Sequence, residues 1–257
     1  MKYVIIHKDD EISNEIHDFL RENIKLEYDL SHPDYVIVVG GDGTFLSAVH
    51  QYPSAVFFAI HTGHLGFFAN YVIEDLNSLV EDINSGKFQI ERLDVISCEI
   101  YADHKEIKDF AVNEMTILIP HKPLILSVKI DDKKLETFRG TGLCISTAYG
   151  STAYNKSLGG AVVDPKLQAF QLTEIAGINS NQYRTLSSPL VLSLDRTITL
   201  EAEDAIGAHI TLDQKSYPLK EFKRATLKLK ASEIALANHQ NKFFIERIRR
   251  SFLTEKD

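Results

Sequence analysis

Short apolar runs alternate with helix-spaced apolar positions along the first third of the chain. Tyr3–His7, Tyr35–Val39 and Ala55–Ile60 read as buried strands. Between and after them, Ile12, Ile16, Phe19 and Leu20 recur on one helical face, and Thr44–Tyr52 predicts a short helix. Ile73, Leu76, Val80 and Ile83 mark a further helix that stops at Ser85-Gly86, a normal glycine terminator. This alternation predicts a parallel sheet covered on both faces, a Rossmann-like α/β domain over residues 1–93. Beyond Leu93 the pattern changes to strands divided by polar turns, among them Val95–Tyr101, Ala111–Ile119, Leu124–Ile130 and Arg196–Ala202. A mainly β, sandwich-like domain over 94–257 is the expectation, with the boundary near Arg92 and no linker or repeat to mark it. Leu167–Ile175 is expected to form a helix within it. The tail, Phe243–Phe252, predicts a terminal helix with Phe244, Ile248 and Phe252 on one face and arginines 247, 249 and 250 on the other. Packing of that helix on the core is favoured over a basic nucleic-acid arm.

Composition narrows the function classes. The 257 residues are 44% hydrophobic and 25% charged, enough for a sizeable core in one large domain or two modest ones. A formal charge of -8 opposes nucleic-acid phosphates and anionic lipid, which favours a soluble chain that handles small molecules. Cys98 and Cys144 are too few for a disulfide scaffold and read as reduced thiols, which points to the cytoplasm. The opening MKYVIIHKDD has too short an apolar stretch for a signal peptide or a spanning helix, and no later segment approaches membrane-spanning length.

Candidate chemistry centres on VVGGDGTFLSAVH, Val38–His50, where Gly40, Gly41 and Gly43 surround Asp42. A glycine turn between a strand and a helix lets backbone N–H groups approach an anion closely. It is not a Walker loop, because Gly43 is followed by Thr44-Phe45 rather than by Lys-Ser or Lys-Thr. Nor is it a complete dinucleotide fingerprint, because Leu46 stands where the third glycine belongs. Asp42 would be repelled by bound phosphates unless a metal ion or an acidic proton on the ligand offsets the charge. A phosphoryl-transfer site has two uses for such a carboxylate, as proton acceptor or as a holder of Mg2+. The alternative is a local role, an Asx-turn or a helix cap. His61 and His64 invite a metal reading that lacks a third ligand with supporting spacing, so no protein-held metal is expected. A serine-hydrolase elbow is absent.

Gly40-Gly41-Asp42-Gly43-Thr44 resembles the GGDGT motif of the NAD kinase family, which lipid kinases and, more distantly, phosphofructokinases share. Asn113-Glu114, RGTGLCISTAYGSTAYNKSLGGAVV (Arg139–Val163), HTGHLGF (His61–Phe67), YRTLSSPLV (Tyr183–Val191) and Leu212-Asp213-Gln214 are similar to further family segments, in order over nearly the whole chain. The resemblance implies transfer of the terminal phosphate of ATP, or of polyphosphate, to the 2′-hydroxyl of the adenosine ribose of NAD. It makes Asp42 the general base and places Gly41, Gly43 and Thr44 against the nucleotide. Asn113 and Glu114 are then ligands of the dinucleotide. Thr152, Ala153, Tyr154, Asn155, Lys156 and Ser157 line the adenosine pocket, with Tyr154 offering a ring face. Arg139 is matched to a phosphate or a neighbouring carboxylate, and Gln214 to the ligand. The resemblance also implies Mg2+ arriving with ATP, without a dedicated protein cage, and a homotetramer or dimer.

The chain departs from the family pattern at two ligand positions. Thr141 stands where an aspartate is common and cannot offer a charged two-oxygen acceptor, a difference worth roughly 1.5–3 kcal/mol per bond. Tyr149, preceded by Ala148, puts a bulky ring where a small hydroxyl residue is usual. Two rival readings follow. A lipid kinase would want an apolar or basic membrane-facing surface that the acidic composition does not provide. A non-catalytic nucleotide sensor would exploit Thr141 and Tyr149.

Overall fold

The computed structural model describes residues 1–63, 66–238 and 244–253. The chain divides into two compact units, Met1–Leu93 with Ile234–Asp257, and Asp94–Glu233. Ile234–Asp257, assigned from sequence to the β domain, groups with Met1–Leu93 instead. Among the described residues no helix is long and apolar enough to cross a membrane.

In the first unit, Tyr35–Val39 pairs in parallel with Lys2–His7 on one side and Val56–His61 on the other. Glu27–Tyr28 extends the sheet beyond Lys2–His7, and the end of the long strand Phe222–Asn238 extends it beyond Val56–His61 through Ala235↔Val56. Tyr35–Val39 is buried at every position, as a central parallel strand must be. One face of the sheet holds Ile5, Ile37, Val39, Phe58 and Ile60 against Ile16 and Leu20 of the helix Glu11–Asn23 and Leu79 and Ile83 of Leu76–Ser85. Asp10 caps the first of these helices by accepting from the Ser13 N–H at 2.9 Å. Gly86 ends the last with a left-handed φ of 66°. Phe45, from the helix Asp42–Gln51, meets the ring of Phe57 at 5.6 Å between centroids.

The second unit is a pair of antiparallel sheets. One contains Leu124–Ile130, Lys133–Gly140, Thr197–Asp204 and most of Phe222–Asn238. The other runs in the order Leu190–Ser193, Ala169–Ile175, Gly142–Thr147, Glu114–Leu118, His209–Leu212 and Lys215–Pro218. Inward residues of both meet in one core, among them Leu126, Leu200 and Leu227 from the first and Ile117, Ile145, Leu172 and Ile210 from the second. The expected sandwich is present.

Two local expectations are corrected. Leu167–Ile175 is not a helix: after a short 3-10 turn over Pro165–Leu167 the chain runs as a strand over Ala169–Ile175. Gln171 and Thr173 are buried there because their side chains have partners, Gln171 with both backbone groups of Ala161 and Thr173 with Asn155. The tail is helical over Phe244–Ile248 and continues as a π turn over Arg249–Leu253, while position 243 lies outside the described residues. Phe244 and Phe252 both meet the Phe67 ring, as the apolar face predicts, while one arginine departs from the expected polar face. Arg247 is buried, its Nη2 donating to Glu91 at 2.7 Å and to Asn70 at 2.8 Å, whereas Ile245 is 67% exposed.

Truncating Arg247 removes the bonds it donates to the Glu91 carboxylate and to the Asn70 oxygen. Arg247→Ala is expected to cost about 1.5–3 kcal/mol, the range for hydrogen bonds to a charged group. Urea unfolding checks this; a loss below about 0.5 kcal/mol would place the pair among the weak surface contacts.

Candidate active site

The first unit carries the glycine turn at the carboxyl end of its central strand. The Gly40 N–H donates to Ile60 O at 3.0 Å, which fixes the strand end against its neighbour. A Cβ at Gly40 would come within 2.6 Å of Thr44 Oγ1, so glycine is required for the close approach. At Gly41, the N-cap of the helix, a Cβ would meet nothing within 4 Å, and no side chain caps the helix there. Asp42 is the first helical residue, two positions before the expected start. Its carboxylate neither closes an Asx-turn nor caps its own helix. Oδ2 accepts from the Phe67 N–H at 2.8 Å and Oδ1 from the Phe68 N–H at 3.1 Å. Phe68 also stacks on Phe45 of the same helix, 4.6 Å between centroids. His61 is buried, and His64 lies outside the described residues.

The second unit brings the Asn113-Glu114 pair and the second glycine region, within Arg139–Val163, together through contacts to the backbone. Asp213, at the tip of the hairpin His209–Leu212/Lys215–Pro218, has a left-handed φ of 54°. Its carboxylate accepts from the N–H groups of Val112, Asn113 and Glu114 at 2.8, 2.7 and 3.3 Å. Gln214, beside it, is exposed. Thr147 Oγ1 donates to Val112 O at 2.7 Å and accepts from the Gly150 N–H at 3.0 Å. A Cβ at Gly150 would overlap the Asn113 carbonyl, so the glycine lets this turn lie flat on Asn113. Thr152 Oγ1 donates to Tyr149 O at 2.9 Å, and the Tyr149 ring is buried.

The remaining residues expected at the site fall into two groups. Tyr154, Lys156 and Ser157 are exposed, with Ala153 half-buried before them. Asn155, between them, is fully buried; its Oδ1 accepts from Thr173 Oγ1 at 2.7 Å, so in this structure it anchors the turn. Arg139 lies over the Tyr183 ring at 4.4 Å, a cation–π contact rather than an ion pair. Thr141 is fixed by its backbone, which donates to Ile175 O and accepts from the Ile119 N–H. The sequence reading missed two organising features. Asp213 appeared only as part of a similar segment, and Gly66, whose Cα lies against the Asp42 carboxylate, had no role.

Electrostatics single out Glu114. Burial, reinforced by the Asp213 charge, pushes its carboxyl up from 4.5 to about 8. Its Oε2 is buried with no hydrogen-bond partner among the described residues. A carboxyl that keeps its proton near neutrality can donate as well as accept, as the Asn113 amide can. Burial also raises the thiols of Cys98 and Cys144, which are both free. Among the described residues no group of three or more His, Cys, Asp or Glu side chains is placed to hold a metal ion.

A parallel α/β unit with a glycine-turn aspartate, followed by an antiparallel β unit with a buried Asn113 and a half-buried Glu114, matches the two-part architecture of a phosphotransferase family. The family model of the ATP-NAD kinase N-terminal domain matches residues 6–88, and that of the ATP-NAD kinase C-terminal domain matches residues 112–236. The NAD kinase of Shouchella clausii is 38% identical over 268 residues, covering 99% of this chain and 100% of that protein. That of Geobacillus stearothermophilus is 39% identical over 262 residues, covering 98% and 97%. A crystal structure of an NAD kinase from Archaeoglobus fulgidus in complex with ATP superposes with a TM-score of 0.76 at 25% identity, covering 97% of this chain and 99% of that one. Yeast NADH kinase complexed with NADH shares the fold, with a TM-score of 0.84 at 18% identity, covering 100% and 89%. The chain belongs to the ATP-NAD kinase family.

The Glu114 shift has a consequence for stability. A carboxyl raised from 4.5 to about 8 holds a proton in the folded state that the unfolded chain has released, so its contribution is complete below 4.5 and lost as pH rises through about 8. Glu114→Gln, neutral at every pH, removes that loss. Its urea midpoint is expected to gain on that of the parent between pH 5 and pH 9; parallel pH profiles would contradict the assignment.

Proposed function

We propose that this chain transfers the terminal phosphate of ATP to the 2′-hydroxyl of the adenosine ribose of NAD, giving NADP and ADP, with Asp42 as the general base. The 2′-oxygen attacks the γ-phosphorus, the bond from that phosphorus to the β,γ-bridging oxygen breaks, and the hydroxyl proton passes to Asp42. The observation that carries the reading is the placement of Asp42 at the first residue of an uncapped helix, directly after a glycine with open space where its side chain would be. Backbone N–H groups in the first turn of the helix Asp42–Gln51 suit a phosphate, and an alkyl group at Gly41 would occupy the approach. A carboxylate has about four lone-pair positions, and the Phe67 and Phe68 amides take two. The others are left to receive a proton.

In the second unit Asn113 and a protonated Glu114 offer donors and acceptors to ribose or amide groups of the dinucleotide. Thr152, Ala153, Tyr154, Lys156, Ser157 and Gln214 supply accessible polar and aromatic surface for the same ligand. Asn155 supports this turn from beneath, and Arg139, Thr141 and Tyr149 are read as its flank. Mg2+ arriving with the ATP phosphates would supply charge neutralisation there. The reading extends to a homo-oligomer, tetramer or dimer, and to the cytoplasm, where the buried free thiols Cys98 and Cys144 stay reduced.

Asp42→Asn keeps the side chain's shape and removes the base. Turnover with ATP and NAD is expected to fall by about 10²–10⁴, the usual worth of general base catalysis. A rate within about threefold of the parent, in a coupled assay for NADP, would exclude Asp42 as the base.

A further inference from the structure

The bonds that Asp42 makes do not stabilise its own helix. Oδ2 and Oδ1 each accept one N–H, from Phe67 and Phe68 in turn, so two successive amides of a loop grip both oxygens of one carboxylate. The preceding residue, Gly66, lies directly against that carboxylate. A Cβ there would overlap Oδ1 and come within 2.9 Å of Cγ. Gly66 carries no positive φ, so backbone freedom is not what calls for glycine at this position; the space taken by Asp42 is. The loop is held to the helix by a second contact, the Phe68 ring stacked on Phe45 at 4.6 Å and 20°. Three successive residues of one loop therefore meet one carboxylate, and Phe45 holds that loop to the helix.

We infer that Gly66 and the Phe67 and Phe68 amides are positioning residues for the reaction: they set the orientation of the Asp42 carboxylate, and Gly66 is glycine so that the clamp can close. This inference rests on the reading of Asp42 as the base. The loop touches the carboxylate on two lone pairs and leaves the others in a fixed direction, which is the requirement for a base aimed at one hydroxyl. A methyl group at residue 66 forces either the carboxylate to rotate or the loop to recede, and both break the two N–H bonds. Displacement of about 1 Å at a reacting group costs up to about 10²-fold in rate.

Gly66→Ala is expected to lower kcat at least about tenfold while KM for ATP and for NAD stays within about threefold, because the clamp acts on Asp42 and not on the ligands. In an Asp42→Asn background the same change is expected to cost less than about twofold, since the group it orients has lost its function. Equal losses in both backgrounds, or a Gly66→Ala enzyme within twofold of the parent, would overturn the inference. Amide hydrogen exchange on the full chain tests the clamp apart from catalysis, and without requiring Gly66→Ala to fold. The Phe67 and Phe68 amides are expected to exchange at least about tenfold faster in Asp42→Ala than in the parent, with those of Ile37 and Val38 unchanged. Unchanged exchange at 67 and 68 would overturn the inference as well. Should Asp42→Asn keep full turnover, the base reading fails, while the exchange result still decides whether the clamp exists.

Discussion

A carboxylate that grips backbone amides across a long stretch of chain is the interaction on which both units are organised. In the first, Asp42 reaches 25 and 26 residues forward to Phe67 and Phe68. Everything around it serves that reach. The fully buried strand Tyr35–Val39 delivers the glycines to the carboxyl end of the parallel sheet, Gly40 permits the close approach of Thr44, and Phe45 and Phe68 stack to keep loop and helix together. Charge-assisted bonds to amides are stronger than neutral ones, and here each contact sits on a packed aromatic support.

The second unit repeats the device with Asp213. Its carboxylate spans 101 and 100 residues to the amides of Val112 and Asn113, and its left-handed backbone makes the tight hairpin that aims it. An aspartate tolerates that conformation better than most side chains. Gly150 and Thr147 press the second glycine region onto the same segment from the other side. The consequence reaches Glu114. Fixed beside Asp213 and shielded from water, its carboxyl keeps a proton that an exposed glutamate would lose. Backbone organisation and the protonation of Glu114 are thus coupled through one negative charge.

What was legible in the sequence was local. The glycine turn announced itself because the residues that make it are adjacent, and the parallel unit because Tyr35–Val39 and Ala55–Ile60 are continuous apolar runs, the signature of strands buried on both faces. What stayed hidden was long-range. Gln171 and Thr173 alternate with the core residues Phe170 and Leu172, and their polar face is tolerated inside because Ala161 and Asn155 meet it. Arg247 reads as a solvated cation until Glu91, 156 residues away, neutralises it. Gly66 belongs to a segment recognised by similarity, yet its reason lies in a side chain that no nearby residue points to.

The central claim is that Asp42 serves a phosphoryl transfer to one sugar hydroxyl. It is tested most directly by incubating the purified chain with Mg2+, ATP and NAD and locating the new phosphate by phosphorus NMR. The account predicts ADP and a dinucleotide carrying a 2′-phosphomonoester in equal amounts. Phosphate at any other position of the dinucleotide, or ATP left intact by folded protein, would contradict it.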